Sequence, residues 1–218
     1  MAAEARKPNR VEQQKSELLA EGHLRLERLT LRTDLFAGGA SEIVREVLRS
    51  GPAVAVLLYD PAANKLILIE QFRVGAWVNQ QTMNQQTTQS ASAWLLECVA
   101  GKIDAGETAE EAGRREALEE SGCVVERMEF AGAYLSSPGI SDELVSIYIG
   151  LVDSTHVGGV HGEESEGEDI RTVLLSVDEA LAAADSGAVV NMVTQVALLW
   201  FARHQDALRN RWLKPDEN

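Results

Sequence analysis

Residues 101–123 read GKIDAGETAEEAGRREALEESGC, and the rest of the chain is best read outward from them. The stretch gathers Glu107, Glu110, Glu111, Glu116, Glu119 and Glu120 into one short helical segment. Like charges repel, so a folded domain that concentrates carboxylates needs a compensating cation. Mg²⁺ takes oxygen ligands and is commonly held by a few carboxylates together with substrate phosphates. Glu119 lies three residues after Glu116 and Glu120 lies four after it, and on a helix those intervals share a face. Arg115 adjoins the set and can pair with one carboxylate, leaving others for metal. Gly101 and Gly106 bracket a turn, and Gly122 stands where a left-handed residue closes a helix. The acidic face falls in the C-terminal half of the helix, where negative charge opposes the helix dipole. Stability alone does not select that placement. The rival reading is a solvated acidic helix held by internal salt bridges.

Upstream, residues 94–100 (WLLECVA) read as a strand leading into the acidic helix. Residues 53–59 (AVAVLLY) and 65–73 (KLILIEQFR) read as buried strands joined by a DPAANK turn. Residues 23–34 and 41–49 alternate apolar and polar, as half-buried strands do, and Gly38-Gly39 between them signals a hairpin. Residues 1–20 read as flexible or loosely helical. Residues 1–50 thus form an N-terminal antiparallel β-sheet unit with little core of its own, which calls for a partner surface. Residues 51–218 form the main domain. Segment 76–93 (AWVNQQTMNQQTTQSASA) breaks the strand pattern and reads as a long polar loop, either a bland surface connection or a lid.

Downstream come strands near 128–135, 143–153 and 170–176, then helices over 178–184 and 189–212. Val190, Val193, Val196, Ala197, Trp200 and Phe201 give the last helix an apolar stripe suited to core or subunit contact. This order of strands and helices implies a mixed sheet between helical layers.

The chain has 218 residues, 45% hydrophobic and 25% charged, as in an ordinary globular protein. Its longest apolar runs are too short to span a bilayer. The first residues, MAAEARKPNRVEQQK, lack the apolar core of a secretory signal, which points to the cytoplasm. Two cysteines, Cys98 and Cys123, imply no disulfide framework and read as small buried hydrophobes. A net charge of −14 disfavours nucleic-acid binding, which needs Lys and Arg to neutralise phosphates. A phosphate-bearing small molecule would require metal ions and local arginines to reverse the field at its site.

Gly101, Glu107, Arg115, Glu116, Ala117, Glu119, Glu120, Gly122 and Cys123 together resemble the Nudix box. That box runs Gly, five residues, Glu, seven residues, Arg-Glu, apolar, any, Glu-Glu, any, Gly, apolar. Ala117 and Cys123 are small for the apolar slots. Three further segments, 94–101 (WLLECVAG), 136–143 (SSPGISDE) and 161–171 (HGEESEGEDIR), look like the bacterial ADP-ribose pyrophosphatase branch, in which a proline such as Pro138 follows the box. The likeness covers roughly residues 23–212. The long 76–93 segment departs from it and leaves the site entrance open.

The resemblance implies an α/β Nudix fold, with a mixed β-sheet in an α/β/α sandwich and a small N-terminal antiparallel β-sheet. It implies a homodimer in which that sheet packs across the subunit interface. It implies hydrolysis of ADP-ribose to AMP and ribose 5-phosphate, with two to three Mg²⁺ or Mn²⁺ ions per site. The backbone carbonyl of Ala100, with Glu116, Glu120 and Glu168, would form the metal shell, with Glu119 assisting. Glu166 would be the general base, Glu164 its rival. Glu120 and Arg115 complete the catalytic set. Arg45, Glu46 and Arg73 would hold the adenosine and phosphate end, Lys102 would lie near the substrate, and Ser137, Pro138, Gly139 and Glu143 would contact the far ribose and phosphate.

Simpler roles remain open for several of these residues. The acidic loop can be merely solvated, Arg73 a strand-end arginine, Arg45 and Glu46 an ordinary cross-strand pair, and Pro138-Gly139 only a turn. His161 receives no role. Two other functions stand beside the first: hydrolysis of another nucleotide sugar such as GDP-mannose, and a nucleotide-binding sensor without turnover. Retention of every box carboxylate argues against the sensor.

Overall fold

In the computed structural model, residues 10–22, 24–82, 92–163 and 167–213 are described. They divide into two compact units, Met1–Gly51 with Ser137–Glu143, and Pro52–Ser136 with Leu144–Asn218.

The larger unit is built on alternation. Strand β4 (Pro52–Asp60) sends Val54, Val56 and Leu58 to one face and Ala55, Leu57 and Tyr59 to the other, and all six are fully buried. β5 (Lys65–Phe72) repeats the pattern with Ile67 and Ile69 against Leu66 and Leu68. Two buried faces require a cover on each side. Helix α2 (Ala109–Ser121) covers one face with Ala112 and Ala117. Helices α3 (Val177–Asp185) and α4 (Met192–Trp212) cover the other with Ala180, Ala184, Ala197, Leu198, Phe201 and Leu208. The sheet has eight strands. Its main path runs β10 (Val160–His161), β11 (Ile170–Ser176), β5, β4, β9 (Leu144–Leu151) and β8 (Arg127–Leu135). β9 pairs parallel to β4, while β5 pairs antiparallel to it, so the sheet is mixed. This is the α/β/α sandwich expected.

Three local readings need correction. Residues 94–100 are not one strand: β6 (Trp94–Glu97) pairs with β5, and β7 (Val99–Lys102) pairs with β4. The break falls at Cys98, whose N–H donates to Thr194 Oγ1 on α4 at 2.9 Å. Segment 76–93 is not a loop from its start, because helix α1 spans Val74–Thr82; residues 83–91 lie outside the described part. The last helix begins at Met192, since the Asn191 side chain caps it by accepting the Thr194 N–H at 2.9 Å. Val190 therefore precedes the apolar stripe.

The smaller unit holds a three-stranded antiparallel sheet, β1 (Val11–Glu21), β2 (Arg25–Asp34) and β3 (Ala40–Leu48). β1 overturns the flexible or helical reading of residues 11–20. Its Glu, Gln, Lys, Leu and Ala are good helix formers, yet pairing along β2 from Val11↔Thr33 to Glu21↔Arg25 prevails. Residues 137–143 belong to this unit as well. Leu48 N–H donates to Ile140 O at 2.8 Å, and the Asp142 carboxylate accepts the Ser50 and Gly51 N–H groups at 2.8 and 3.1 Å. None of the unit's described residues is buried.

Candidate active site

Helix α2 is delimited from within. Thr108 caps it by accepting the Glu111 N–H, and Glu111 reaches back to the Thr108 N–H, a capping box. Gly122 ends it at φ 69°, as the sequence predicts. Between these limits the carboxylates take three environments. Glu110 and Glu111 lie in the first turn, where negative charge suits the dipole. Glu107, Glu116 and Glu119 surround Arg115, whose guanidinium donates to them at 3.1, 2.7 and 3.0 Å and to the Lys102 carbonyl at 3.1 Å. The arginine thus bridges three carboxylates rather than the single one expected. Its proton is held more firmly than usual, chiefly through Glu107, whose own pKa is lowered by the same bond.

Glu120 is the third case. It is 3% exposed, and its Oε2 accepts the Ala100 N–H from β7 at 2.9 Å. Burial pushes its pKa up to about 8, the Ala100 N–H opposes that, Glu116 and Glu168 push further, and Arg73 pulls back. Burial also raises Glu116, against the pull of Arg115. A buried carboxylate beside two others is strained electrostatically unless a cation joins them. Gly101 supplies the space: a Cβ there would overlap the Glu116 carboxylate. The oxygen-only donor set of Glu116, Glu119, Glu120 and Glu168 fits a hard divalent cation. As they stand, no three such side chains among the described residues already converge on one point, because Arg115 occupies Glu116 and Glu119.

Glu168 is placed by its own loop. Its N–H donates to the Glu163 carbonyl at 3.2 Å, and its Oε2 accepts the Glu163 N–H at 3.1 Å. Glu164 and Glu166 lie outside the described residues. Arg73 follows β5 and is more than a loose strand-end arginine, since its guanidinium meets the 2%-exposed Glu97 at 2.7 Å. Glu97 also accepts from Asn191 at 2.8 Å. The sequence reading missed Glu97; its signal was a lone charge inside the apolar run WLLECVA.

The remaining predicted site residues lie in the smaller unit. Glu46 stands opposite Arg28 in the β2–β3 register and pairs with it at 2.7 Å, so it makes a cross-strand pair, though not with Arg45. The Arg45 guanidinium donates to the Val44 carbonyl at 2.8 Å. Ser137, Pro138 and Gly139 are exposed in a turn closed by bonds from the Ile140 and Ser141 N–H groups to the Ser137 carbonyl. Glu143 N–H donates to Ser141 Oγ at 3.2 Å. Both cysteines are buried, and burial pushes the Cys98 thiol up to about 12, so neither supplies a thiolate.

Residues 49–196 match the NUDIX domain family. The chain is 38% identical over 197 residues to the ADP-ribose pyrophosphatase of Escherichia coli, covering 90% of each. It is 31% identical over 188 residues to the GDP-mannose pyrophosphatase of Cronobacter sakazakii, covering 86% of this chain and 93% of that one. Among solved structures, a crystal structure of an ADP compounds hydrolase superposes with a TM-score of 0.66 at 16% identity, covering 94% of this chain and 98% of that chain. That last likeness bears on the fold alone.

Proposed function

The chain belongs to the Nudix family, which implies dependence on a divalent metal, and from that premise we propose that it hydrolyses the pyrophosphate bond of ADP-ribose to AMP and ribose 5-phosphate. The observation that carries this reading is the buried Glu120 of α2, held by the Ala100 N–H of β7 beside Glu116 and Glu168. Higher identity to the ADP-ribose enzyme than to the GDP-mannose enzyme favours the substrate.

Glu116, Glu120, Glu168 and the Ala100 carbonyl would hold two to three Mg²⁺ or Mn²⁺ ions, with Glu119 beside them. When bound, the ions neutralise the pyrophosphate, polarise phosphorus and acidify a coordinated water. The chain's own groups do the rest. Glu166 takes the water's proton as the oxygen attacks phosphorus. The bridging P–O bond breaks, and its electron pair leaves with the second phosphate. Arg115 balances the charge of Glu107, Glu116 and Glu119 in the metal-free site, and a bound metal would draw Glu116 and Glu119 from it. Arg73, fixed by Glu97, and Lys102 offer positive charge to the phosphates. Arg45 and Glu46 would hold the adenosine and phosphate end with Arg73, and Ser137, Pro138, Gly139 and Glu143 would contact the far ribose and phosphate. No covalent nucleophile is required, since phosphoryl transfer rests mainly on positioning and charge stabilisation.

The smaller unit is assigned to dimerisation. It has no buried described residue and leaves Val11, Leu18 and Val44 exposed, so a second copy would supply the missing cover. Full activity from a monomer at high dilution would refute that assignment. No helix among the described residues is long and apolar enough to cross a membrane.

The test is product identification with ADP-ribose, GDP-mannose, ADP-glucose and NADH, with and without Mg²⁺. Fastest metal-dependent release of AMP and ribose 5-phosphate from ADP-ribose supports the proposal. Faster turnover of GDP-mannose keeps the chemistry and discards the substrate. Tight binding without turnover of any of them favours a sensor.

A further inference from the structure

His161 ends the short strand β10 and stands opposite Ile170 of β11. Directly paired residues share a face of the sheet, and the fully buried Ile170 packs with the residues of α2. The imidazole therefore lies on the α2 side. There it meets the end of the helix: a Cβ built on Gly122 would lie 3.0 Å from His161 Cε1, tighter than ordinary packing. Gly122 must adopt φ 69° to close the helix, and being glycine it also leaves room for the ring. The ring is also held at the neighbouring atom, where Nε2 lies 3.1 Å from the Gly158 carbonyl, a hydrogen bond in which the carbonyl can only accept.

The next residue continues the contact. Gly162 N–H donates to the Glu119 carbonyl of α2 at 3.3 Å. Gly162 adopts φ 102°, and a Cβ there would lie 2.7 Å from Glu168 Cβ. The backbone of 162 thus touches α2 on one side and Glu168 on the other. Glu163 then binds Glu168 through both its N–H and its carbonyl. A continuous set of contacts runs from the end of α2 through His161 and Gly162 to Glu168.

We propose that His161 is a positioning residue: its ring, packed on Gly122 and hydrogen-bonded to the Gly158 carbonyl, fixes the loop base so that Glu168 is presented to Glu116 and Glu120. It touches neither substrate nor metal in this scheme. It acts by setting the distance between two groups of ligands that belong to different elements, and misplacement by about 1 Å can cost about 100-fold in such sites. The proposal rests on the metal-binding role given to Glu168 above.

Two readouts separate the proposal from that role. The first is amide hydrogen exchange in metal-free protein, which does not depend on function. His161→Ala should lower protection of the Gly162, Glu163 and Glu168 amides about tenfold or more, while amides in β4 and β5 keep theirs. The second is Mn²⁺ binding, followed by electron paramagnetic resonance of the free ion without substrate. His161→Ala should weaken binding about tenfold, with KM for ADP-ribose little changed. His161→Gln keeps an N–H donor for the Gly158 carbonyl and should recover part of both effects. It also serves if the alanine variant fails to fold. Unchanged protection at Gly162 and Glu168 in a folded variant overturns the proposal. So does lost protection with wild-type Mn²⁺ affinity, where Glu168→Gln does weaken it. If Glu168→Gln also binds Mn²⁺ normally, the metal role of Glu168 falls, and the exchange result still decides whether His161 holds the loop.

Discussion

The two units use similar strands to opposite ends. In the larger one, every side chain of β4 from Val54 to Tyr59 is at 0% exposure. In the smaller one, β2 and β3 interleave apolar with polar residues along much of their length, yet no described residue is buried. Period-2 patterning says which side chains share a face. It does not say whether that face is covered. Covering β4 and β5 takes helices on both sides, drawn from residues 109–121 and 177–212, whereas no helix lies among the described residues of the smaller unit. Stability should therefore concentrate in the larger unit and depend on association in the smaller.

The sharpest way to break this contrast is to truncate one aliphatic side chain to alanine in each. Leu57→Ala removes a fully buried side chain from the larger core and should cost about 2–5 kcal/mol, read by urea denaturation. Val44→Ala removes a side chain that is 49% exposed and should cost well under that in dilute protein. Equal losses would mean that the sheet is buried as deeply as the core.

Gly101→Ala comes next. Its methyl group displaces the Glu116 carboxylate, so kcat should fall about 10- to 100-fold with little change in the denaturation midpoint. Wild-type turnover would detach Glu116 from the chemistry.

A pH effect is smaller and carries a definite sign. In the folded, metal-free protein the Glu120 carboxyl titrates near 8 rather than at its ordinary value of 4.5, mainly through burial. The folded state then binds a proton that the unfolded chain has released. The associated stability is complete below about 4.5 and is lost as pH rises toward 8. Metal-free protein should lose stability across that window, Mg²⁺ should restore it, and Glu120→Gln should flatten it. A metal-free denaturation series that gains stability from pH 5 to 8 would contradict the burial argument.

The smallest effect belongs to the exposed Arg28–Glu46 pair. Charge pairs of this kind contribute little in water, so Arg28→Ala should leave Tm unchanged in dilute protein. A clear drop would show that the β2–β3 surface is covered.

Much of the larger unit was legible because its cues are local. The spacing of Glu116, Glu119 and Glu120, the left-handed Gly122 and the apolar runs of β4 and β5 all lie within short windows. What escaped depends on distant partners. Cys98 interrupts a strand because Thr194 takes its N–H, and nothing within WLLECVA announces that. Residues 11–21 favour a helix by composition and pair as a strand because β2 is available. Residues 137–143 join the smaller unit through bonds to Leu48, Ser50 and Gly51. His161 receives no role from the sequence because its contact with Gly122 spans 39 residues. At the site, the carboxylates were visible in the sequence, but the triple pairing of Arg115 and the buried brace from Glu97 to Arg73 required the fold.

The most direct test of the central claim is a Mg²⁺ titration of ADP-ribose hydrolysis in wild-type protein and Glu120→Gln, with AMP measured as product. The account predicts no turnover without metal, saturable activation in the wild type, and at least about a 1000-fold loss of kcat in the variant, as expected when a ligand that stabilises transition-state charge is removed. Turnover of the wild type in the presence of a chelator, or near-normal activation of Glu120→Gln, would contradict it.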